Sequence, residues 1–284
     1  MEQWQSFTSA ELSRQAGQEG ATAVLPVHAV EQHGPHLPLS TDLEIGRGVL
    51  REARRDLEGL PIFRLPEQPV GASREHARFA GTLSLPGPLV SEVLVALGRS
   101  VATAGIRRLV VFSAHGGNRP ALDEAGLVLR DEVGLLVVRA TLARFPRPSL
   151  PAHLPGLPEE EWREGLHGGA VETSMMLHLR PDLVRMEALE GSGPHTPGTA
   201  ADVAGPLRRP EGRLGPEGPA PFSWLASDLH PSGVAGNPRL ATAELGRHLV
   251  MAHARWLGGL LREVSDLPEE VLPGAGGGGG RQPS

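Results

Sequence analysis

Four short segments of this chain concentrate imidazoles and carboxylates at spacings that allow them to meet. The first is Glu31-Gln32-His33-Gly34-Pro35-His36, followed nine residues after His33 by Asp42. In an extended segment residues i and i+2 point the same way, so Glu31 and His33 can converge on one site. Gly34 and Pro35 turn the chain and allow Asp42 to return to it. A carboxylate, an imidazole and a second carboxylate form the mixed hard and borderline donor set that suits Zn, Mn or Fe(II). The competing reading is a polar loop whose His and Glu cap a helix.

The second segment, His115-Gly116-Gly117-Asn118, follows a strongly apolar run. Its glycine pair lets backbone approach a ligand closely, and a His at a strand end is well placed to bind a metal. A phosphate cradle is the weaker reading, because the third Gly and the Lys of such loops are missing. Asn118 either orients a ligand or caps the helix that follows. The third segment, His167-Gly168-Gly169-Ala170-Val171-Glu172, offers His167 as a general acid. Its alternative is a helix-capping His, with Glu172 compensating the helix dipole. The fourth, Gly71 to Thr82, is rich in side-chain donors, and Ser73, Glu75 and His76 are its candidates for lining a substrate pocket. Asp228 and His230, before Pro231-Ser232-Gly233, read as a turn rather than a ligand pair. His178, His248 and His253 fall in helical patterns, and His153 and His195 in Pro-rich loops, with no spacing that suggests chemistry.

The elements that must position these groups alternate. Ala21 to Val27, Pro61 to Leu65, Arg107 to Ser113 and Leu135 to Arg139 read as strands, and helical spacing covers residues 43–58, 89–104, 120–133, 168–179 and 239–262. Strands and helices in this order predict an α/β fold, a three-layer α/β/α sandwich with a mostly parallel sheet. Ligands of such sheets bind beyond the carboxyl ends of strands, where the His28 to Asp42 and His115 segments sit. Phe145 to Glu164 reads as an irregular Pro-rich excursion, and Gly191 to Pro221 as a long functional loop or an oligomer contact. The expected organisation is one domain over residues 1–265 and a disordered glycine-rich tail over 266–284.

Composition removes whole chemistries. The 284 residues include no Cys, no Tyr and no Lys, so all 27 basic residues are Arg. Schiff-base, PLP and phosphate-loop-lysine chemistry are excluded, as are thiolate nucleophiles and cysteine zinc sites. An enzyme with this sequence works through His, Asp, Glu, Ser or metal. A net charge of −6 without any basic run argues against a nucleic-acid surface. The apolar runs are far shorter than the roughly 20 residues of a membrane span, and the polar, acidic N-terminus does not read as a signal peptide. A cytoplasmic protein with no membrane partner is expected. Three Ile and two Asn beside abundant Gly and Pro point to GC-biased codons, which concerns mutation pressure rather than function.

Taken together, EQHGPHLPLSTD, GASREHARFAGT, AHGGN and HGGAVETSMMLHLRPDLV resemble the creatininase family of metal-dependent amidohydrolases. They occur in the family's order over residues from about 24 to 186, with a weaker echo in SGVAGNPRLATAELG. The resemblance implies that Glu31, His33, Asp42 and His115 bind a pair of divalent metals (Zn, Mn or Fe), with Asp42 bridging, and that His167 is the proton donor. Creatininase proper has an acidic ligand two residues after the metal-binding His, where this chain has Gly117. Glu172, or else water, is expected to complete the second metal's shell. Members of the family hydrolyse creatinine, deformylate a formamidopyrimidine intermediate, or trim a peptide in mycofactocin maturation. The GASREHARFAGT and HGGN segments look closer to the last two, and the missing acid disfavours creatinine.

The implied reaction is hydrolysis of a C–N amide bond in a cyclic amide, a formamide or a short peptide by a metal-activated hydroxide, with His167 protonating the leaving nitrogen. No G-x-S-x-G elbow argues for a serine nucleophile. The alternative from another class is a non-catalytic metal-binding scaffold or ligand-binding protein that kept the fold; it would need no proton donor. The resemblance also implies a homo-oligomer, often a hexamer in the family.

Overall fold

The structure, a computed structural model, describes residues 1–189, 213–217 and 220–272. Five strands form its main sheet: β1 (Glu2–Gln3), β2 (Thr22–Val27), β3 (Ile62–Arg64), β4 (Arg108–Ser113) and β5 (Leu136–Thr141). Their order is β1-β3-β2-β4-β5, and every neighbouring pair is parallel. Around them lie α1 (Ser9–Ala16), α2 (Thr41–Ala53), α3 (Gly87–Thr103), α4 (Arg119–Val133), α5 (Glu159–Glu164), α6 (Ala170–Leu179), α7 (Ala226–Leu229) and α8 (Ala243–Asp266). β1 carries two polar residues on the sheet edge, so it has no apolar signature in the sequence.

The pleat of β2 and β4 sorts side chains between two layers. Val24, Val110 and Phe112 pack in one core with Val49 and Leu50 of α2, Met175 and Met176 of α6, and Leu249 and Leu257 of α8. Ala23, Leu25, Val27, Leu109 and Val111 enter the other, with Val90 and Leu94 of α3 and Leu122 and Leu129 of α4. Both faces of the sheet are covered, which is why these strands read as continuous apolar runs.

Two expectations need correction. The Phe145 to Glu164 excursion contains α5, and α5 carries a buried carboxylate. Glu161 is 2% exposed; its Oε1 accepts the Ala170 N–H at 2.7 Å and its Oε2 the Asn237 N–H at 2.8 Å. Gly169 gives α6 no side-chain cap, so a carboxylate from another helix satisfies its first turn and faces the positive end of its dipole. Glu161→Ala removes the acceptor of one buried and one half-buried N–H and is expected to cost about 2 kcal/mol. Urea unfolding measures this, and an unchanged midpoint would refute the cap.

The other correction concerns the tail. α8 runs to Asp266, and Leu272 is still buried. Arg108, buried at the start of β4, donates to Glu269 Oε1 at 2.6 Å and to the Leu267 carbonyl at 2.5 Å. Packing therefore continues past 265 to 272. The glycine run at 276–280 and most of the 191–221 segment lie outside the described residues.

Candidate metal centre

β2 and β4 end in register, Val27 opposite Ser113, so the segments after them leave the sheet side by side. Beyond β2 the Glu31 N–H donates to the Leu39 carbonyl at 3.1 Å, and the loop turns at Gly34, whose φ is +75°. That turn delivers Asp42 on the first turn of α2. His167 comes from the segment before α6: its backbone exchanges hydrogen bonds with Ala235 at 3.1 and 2.8 Å just before Gly168, at φ +62°, starts the approach to that helix.

The four segments meet. Glu31 is fully buried, and its Oε1 lies 3.2 Å from His115 Nδ1, 3.4 Å from His76 Nε2 and 3.7 Å from His167 Nδ1. Asp42 faces two ways, with Oδ1 3.6 Å from His33 Nε2 and Oδ2 3.6 Å from His115 Nδ1. Glu172 Oε2 lies 4.0 Å from His33 Nε2. Ligand atoms fall within 4.8 Å of one another in three sets: Glu31, Asp42 and His115; His33, His167 and Glu172; Glu31, His76 and His167.

Hydrogen bonds assign the tautomers of the neutral rings. His33 donates from Nδ1 to the Glu31 carbonyl at 3.1 Å, His115 from Nε2 to the Ala72 carbonyl at 2.9 Å, and His167 from Nε2 to the Gln32 carbonyl at 2.5 Å. Each ring therefore turns its lone pair toward carboxylate oxygens. Both Glu31 oxygens, Asp42 Oδ2 and His33 Nε2 are buried without a hydrogen-bond partner among the described residues. Lone pairs facing lone pairs require positive charge between them, and a divalent cation supplies it to all of them at once.

Protons can supply part of that charge. Burial pulls the His33 imidazole down, but Asp42, Glu172 and Glu31 outweigh it and raise His33 to about 9. Burial likewise opposes charge on His115, yet Glu31, Asp42 and Glu75 raise it to about 10. Burial also acts against ionised Glu31, which His115, His76 and His167 nevertheless hold well below the carboxylate range. Burial raises the Glu172 carboxyl to about 7. Both folded imidazole values exceed the ordinary 6.5, so in metal-free protein their contribution to stability is complete below pH 6.5 and is lost as pH rises through 9 to 10. Chelator-treated protein is expected to lose melting temperature over that window while metal-loaded protein does not. Parallel thermal melts measure it, and a flat metal-free profile would contradict the coupling.

His167 behaves differently. Burial, then the charges of His33 and His76, push it well below the imidazole range, so it rests neutral. It is sandwiched between His33 and His76, with ring centroids 4.1 Å apart on each side. A neutral His167 with Nε2–H committed to Gln32 has only the Nδ1 lone pair for chemistry. It must take a proton before it can give one, which refines the donor role read from the sequence.

The remaining candidates divide. Ser73 is buried and its hydroxyl has no partner among the described residues, so it is available to a ligand. Glu75 Oε1 lies 3.6 Å from His115 Nε2, and a Cβ at Gly117 would collide with both atoms. Glu75 thus occupies the space that an acid at 117 would enter. Asn118 is buried; its Nδ2 donates to the His28 carbonyl at 3.1 Å and Ser113 Oγ at 3.2 Å, and its Oδ1 accepts the Ala72 N–H at 2.9 Å. Its amide ties the loops together. Glu172 Oε2 also accepts the Gly168 N–H at 2.5 Å, so the helix-start reading of this residue describes part of its role. Asp228 accepts the Leu225 N–H at 2.8 Å, and His230 pairs with Ser232 at 2.7 Å, which is turn chemistry.

The sequence reading missed Trp224. Its ring stands edge-on to His76 at 6.4 Å, and with Phe222 and Leu166 it packs against buried Leu229 and Ala235 in a small apolar cluster. Only its type, one of four Trp in the chain, hinted at this.

Known proteins share this arrangement of chain. The family described as creatinine amidohydrolase matches residues 5–261. The chain belongs to the creatininase family. A mycofactocin precursor peptide peptidase of Mycobacterium tuberculosis is 36% identical over 260 residues, covering 86% of this chain and 89% of that one. The creatinine amidohydrolase of Pseudomonas putida is 29% identical over 189 residues, covering 61% and 70%. A crystal structure of creatinine amidohydrolase superposes with a TM-score of 0.74 at 22% identity, over 94% of this chain and 98% of that one, and a creatininase containing Mn with 0.71. The creatininase fold is thus shared, and this creatininase-family chain is an amidohydrolase acting on C–N bonds. No feature among the described residues favours the non-catalytic scaffold.

Proposed function

We propose that this chain hydrolyses an amide bond of a short peptide, using two divalent metals. Glu31, Asp42 and His115 would hold one, and His33, Asp42 and Glu172 the other. The observation that carries this reading is Asp42, whose two oxygens face different imidazoles while each imidazole is tied back to a carbonyl. Imidazole and carboxylate donors suit Zn, Mn or Fe. Such ions, when bound, acidify a water toward neutrality and polarise the amide carbonyl.

The chain's own residues supply the remaining steps. His167 takes a proton at Nδ1 from the attacking water and delivers it to the leaving nitrogen, while its Nε2–H stays on the Gln32 carbonyl. The Ser73 hydroxyl donates to the substrate. Trp224, Phe222 and Leu166 exclude water and receive an apolar side chain next to the scissile bond. Similarity over 86% of the chain to a peptide peptidase, against 61% to a creatinine amidohydrolase, supports a peptide substrate. Gly117 supports it too, because the acid of creatininase proper is absent. The reading extends to one domain through residue 272, a cytoplasmic homo-oligomer and no nucleic-acid partner; no helix among the described residues is long and apolar enough to cross a membrane.

Purified protein of known metal content, assayed on creatinine, formamides and peptides bearing apolar C-terminal dipeptides, tests the proposal. Turnover is expected on the peptides. Preference for creatinine with inert peptides would overturn the substrate reading, and scattering on a sizing column checks the assembly.

A further inference from the structure

Beside the three rings that present lone pairs to the centre stands a fourth that does not. His76 is 2% exposed, stacks on His167 at 29°, and directs Nε2 toward Glu31 Oε1 at 3.4 Å. Its Nδ1 meets the side-chain amide of Gln32 at 2.8 Å.

The orientation of that amide is determined by its other contacts. Gln32 Oε1 accepts the Gly34 N–H at 2.9 Å, and Nε2 donates to the Gly233 carbonyl at 3.1 Å. A flipped amide would set NH2 against the Gly34 N–H and oxygen against the Gly233 carbonyl, losing both bonds and creating two repulsions. The nitrogen therefore faces His76, and His76 Nδ1 accepts. A neutral ring that accepts at Nδ1 carries its proton at Nε2, on the side of Glu31. Gly233 secures the arrangement from a distant part of the chain: it sits at φ +76°, and a Cβ there would collide with the Gln32 amide.

We infer that Gln32 is a tautomer lock, holding His76 as the Nε2–H form so that this N–H faces the Glu31 carboxylate, 3.4 Å away, and positions it electrostatically as a metal ligand. His76 is a positioning residue and not itself a ligand, although Glu31, His76 and His167 lie close enough to be read as a metal-binding set. A ring whose two nitrogens are engaged, one accepting from Gln32 and one carrying hydrogen, has no lone pair to give a cation. The consequence is a division of labour within the stack of three imidazoles: His33 and His167 offer lone pairs, and His76 offers a proton. The inference rests on the metal-hydrolase reading only for its consequence, because the tautomer belongs to the protein with or without metal.

The test uses full-length protein with 15N-labelled histidine, with and without Zn(II), read by long-range imidazole proton–nitrogen correlation at neutral pH, together with Zn(II) affinity from competition with a chromophoric chelator. His76 is expected to show protonated Nε2 and bare Nδ1 in both states. Gln32→Glu places an acceptor opposite Nδ1 and is expected to move the proton there and weaken Zn(II) binding by about 10- to 100-fold. His76→Gln, which can keep a donor toward Glu31, is expected to stay within a few-fold of wild type, and His76→Ala to fall with Gln32→Glu. Circular dichroism and melting separate loss of fold from loss of the lock. A wild-type His76 protonated at Nδ1, or unchanged Zn(II) affinity in folded Gln32→Glu and His76→Ala proteins, would overturn the inference. Failure of wild-type protein to bind Zn(II) and other divalent metals would instead overturn the metal reading, and the metal-free spectrum would still decide the tautomer.

Discussion

Asp42→Asn is expected to empty the centre and to lower kcat/KM by about 1000-fold or more, roughly 4 kcal/mol of transition-state stabilisation. The carboxylate has one oxygen toward His33 and the other toward His115, at 3.6 Å each. An amide keeps one acceptor, loses the charge and turns a donor toward one of the two imidazoles. It therefore disturbs both halves of the site, whereas Glu172→Gln removes charge from the His33 side alone. Elemental analysis beside steady-state kinetics on the proposed peptide substrate reads the difference. Full metal content with wild-type kcat/KM in the Asp42→Asn protein would eliminate the shared-carboxylate arrangement.

His167→Ala is expected to do the reverse, retaining metal while kcat falls by about 100- to 10,000-fold, the range of a lost general acid–base group. KM should change little if the ring acts on protons and not on binding. Because neutral His167 is held well below the imidazole range by burial and by His33 and His76, the acid limb of kcat/KM should lie below pH 6.5 in wild type and disappear in the variant. Removing a ring from the stack also leaves a gap, so His167→Gln, which fills part of it without restoring proton transfer, separates packing from chemistry. Turnover near wild type in either variant, with metal intact, would assign the proton transfer to another group.

Much of this site was legible because its ligands sit where two strong periodic signals end. β2 and β4 are buried on both faces, so their apolar runs stand out, and the segments leaving their carboxyl ends carry Glu31, His33 and His115. What could not be read depends on contacts between remote parts of the chain. Asn118 lies in the motif, but only the fold shows its amide spent on His28, Ser113 and Ala72. Glu161 stands among three consecutive Glu in a Pro-rich stretch, and only packing singles it out from its neighbours. Gly117 reads as a missing ligand in the sequence, and only the fold shows Glu75 in its space. The direction in which each imidazole carries its proton has no signature in residue spacing, because partners as distant as Ala72 and Gln32 decide it.

The seat of the motif loop on the far C-terminal segment sets an order of events during synthesis. Gly34 lies against Val234, Gln32 bonds to Gly233, and His167 pairs with Ala235. A nascent chain that has emerged only through α4 holds Glu31, His33, Asp42 and His115 but lacks the strap that shapes their loop. Closing contacts across some 200 residues is slow compared with forming local helices. Metal uptake should therefore trail the collapse of the sheet and report the moment when the last third of the chain docks, making metal capture a clock for completed folding as well as a requirement for turnover.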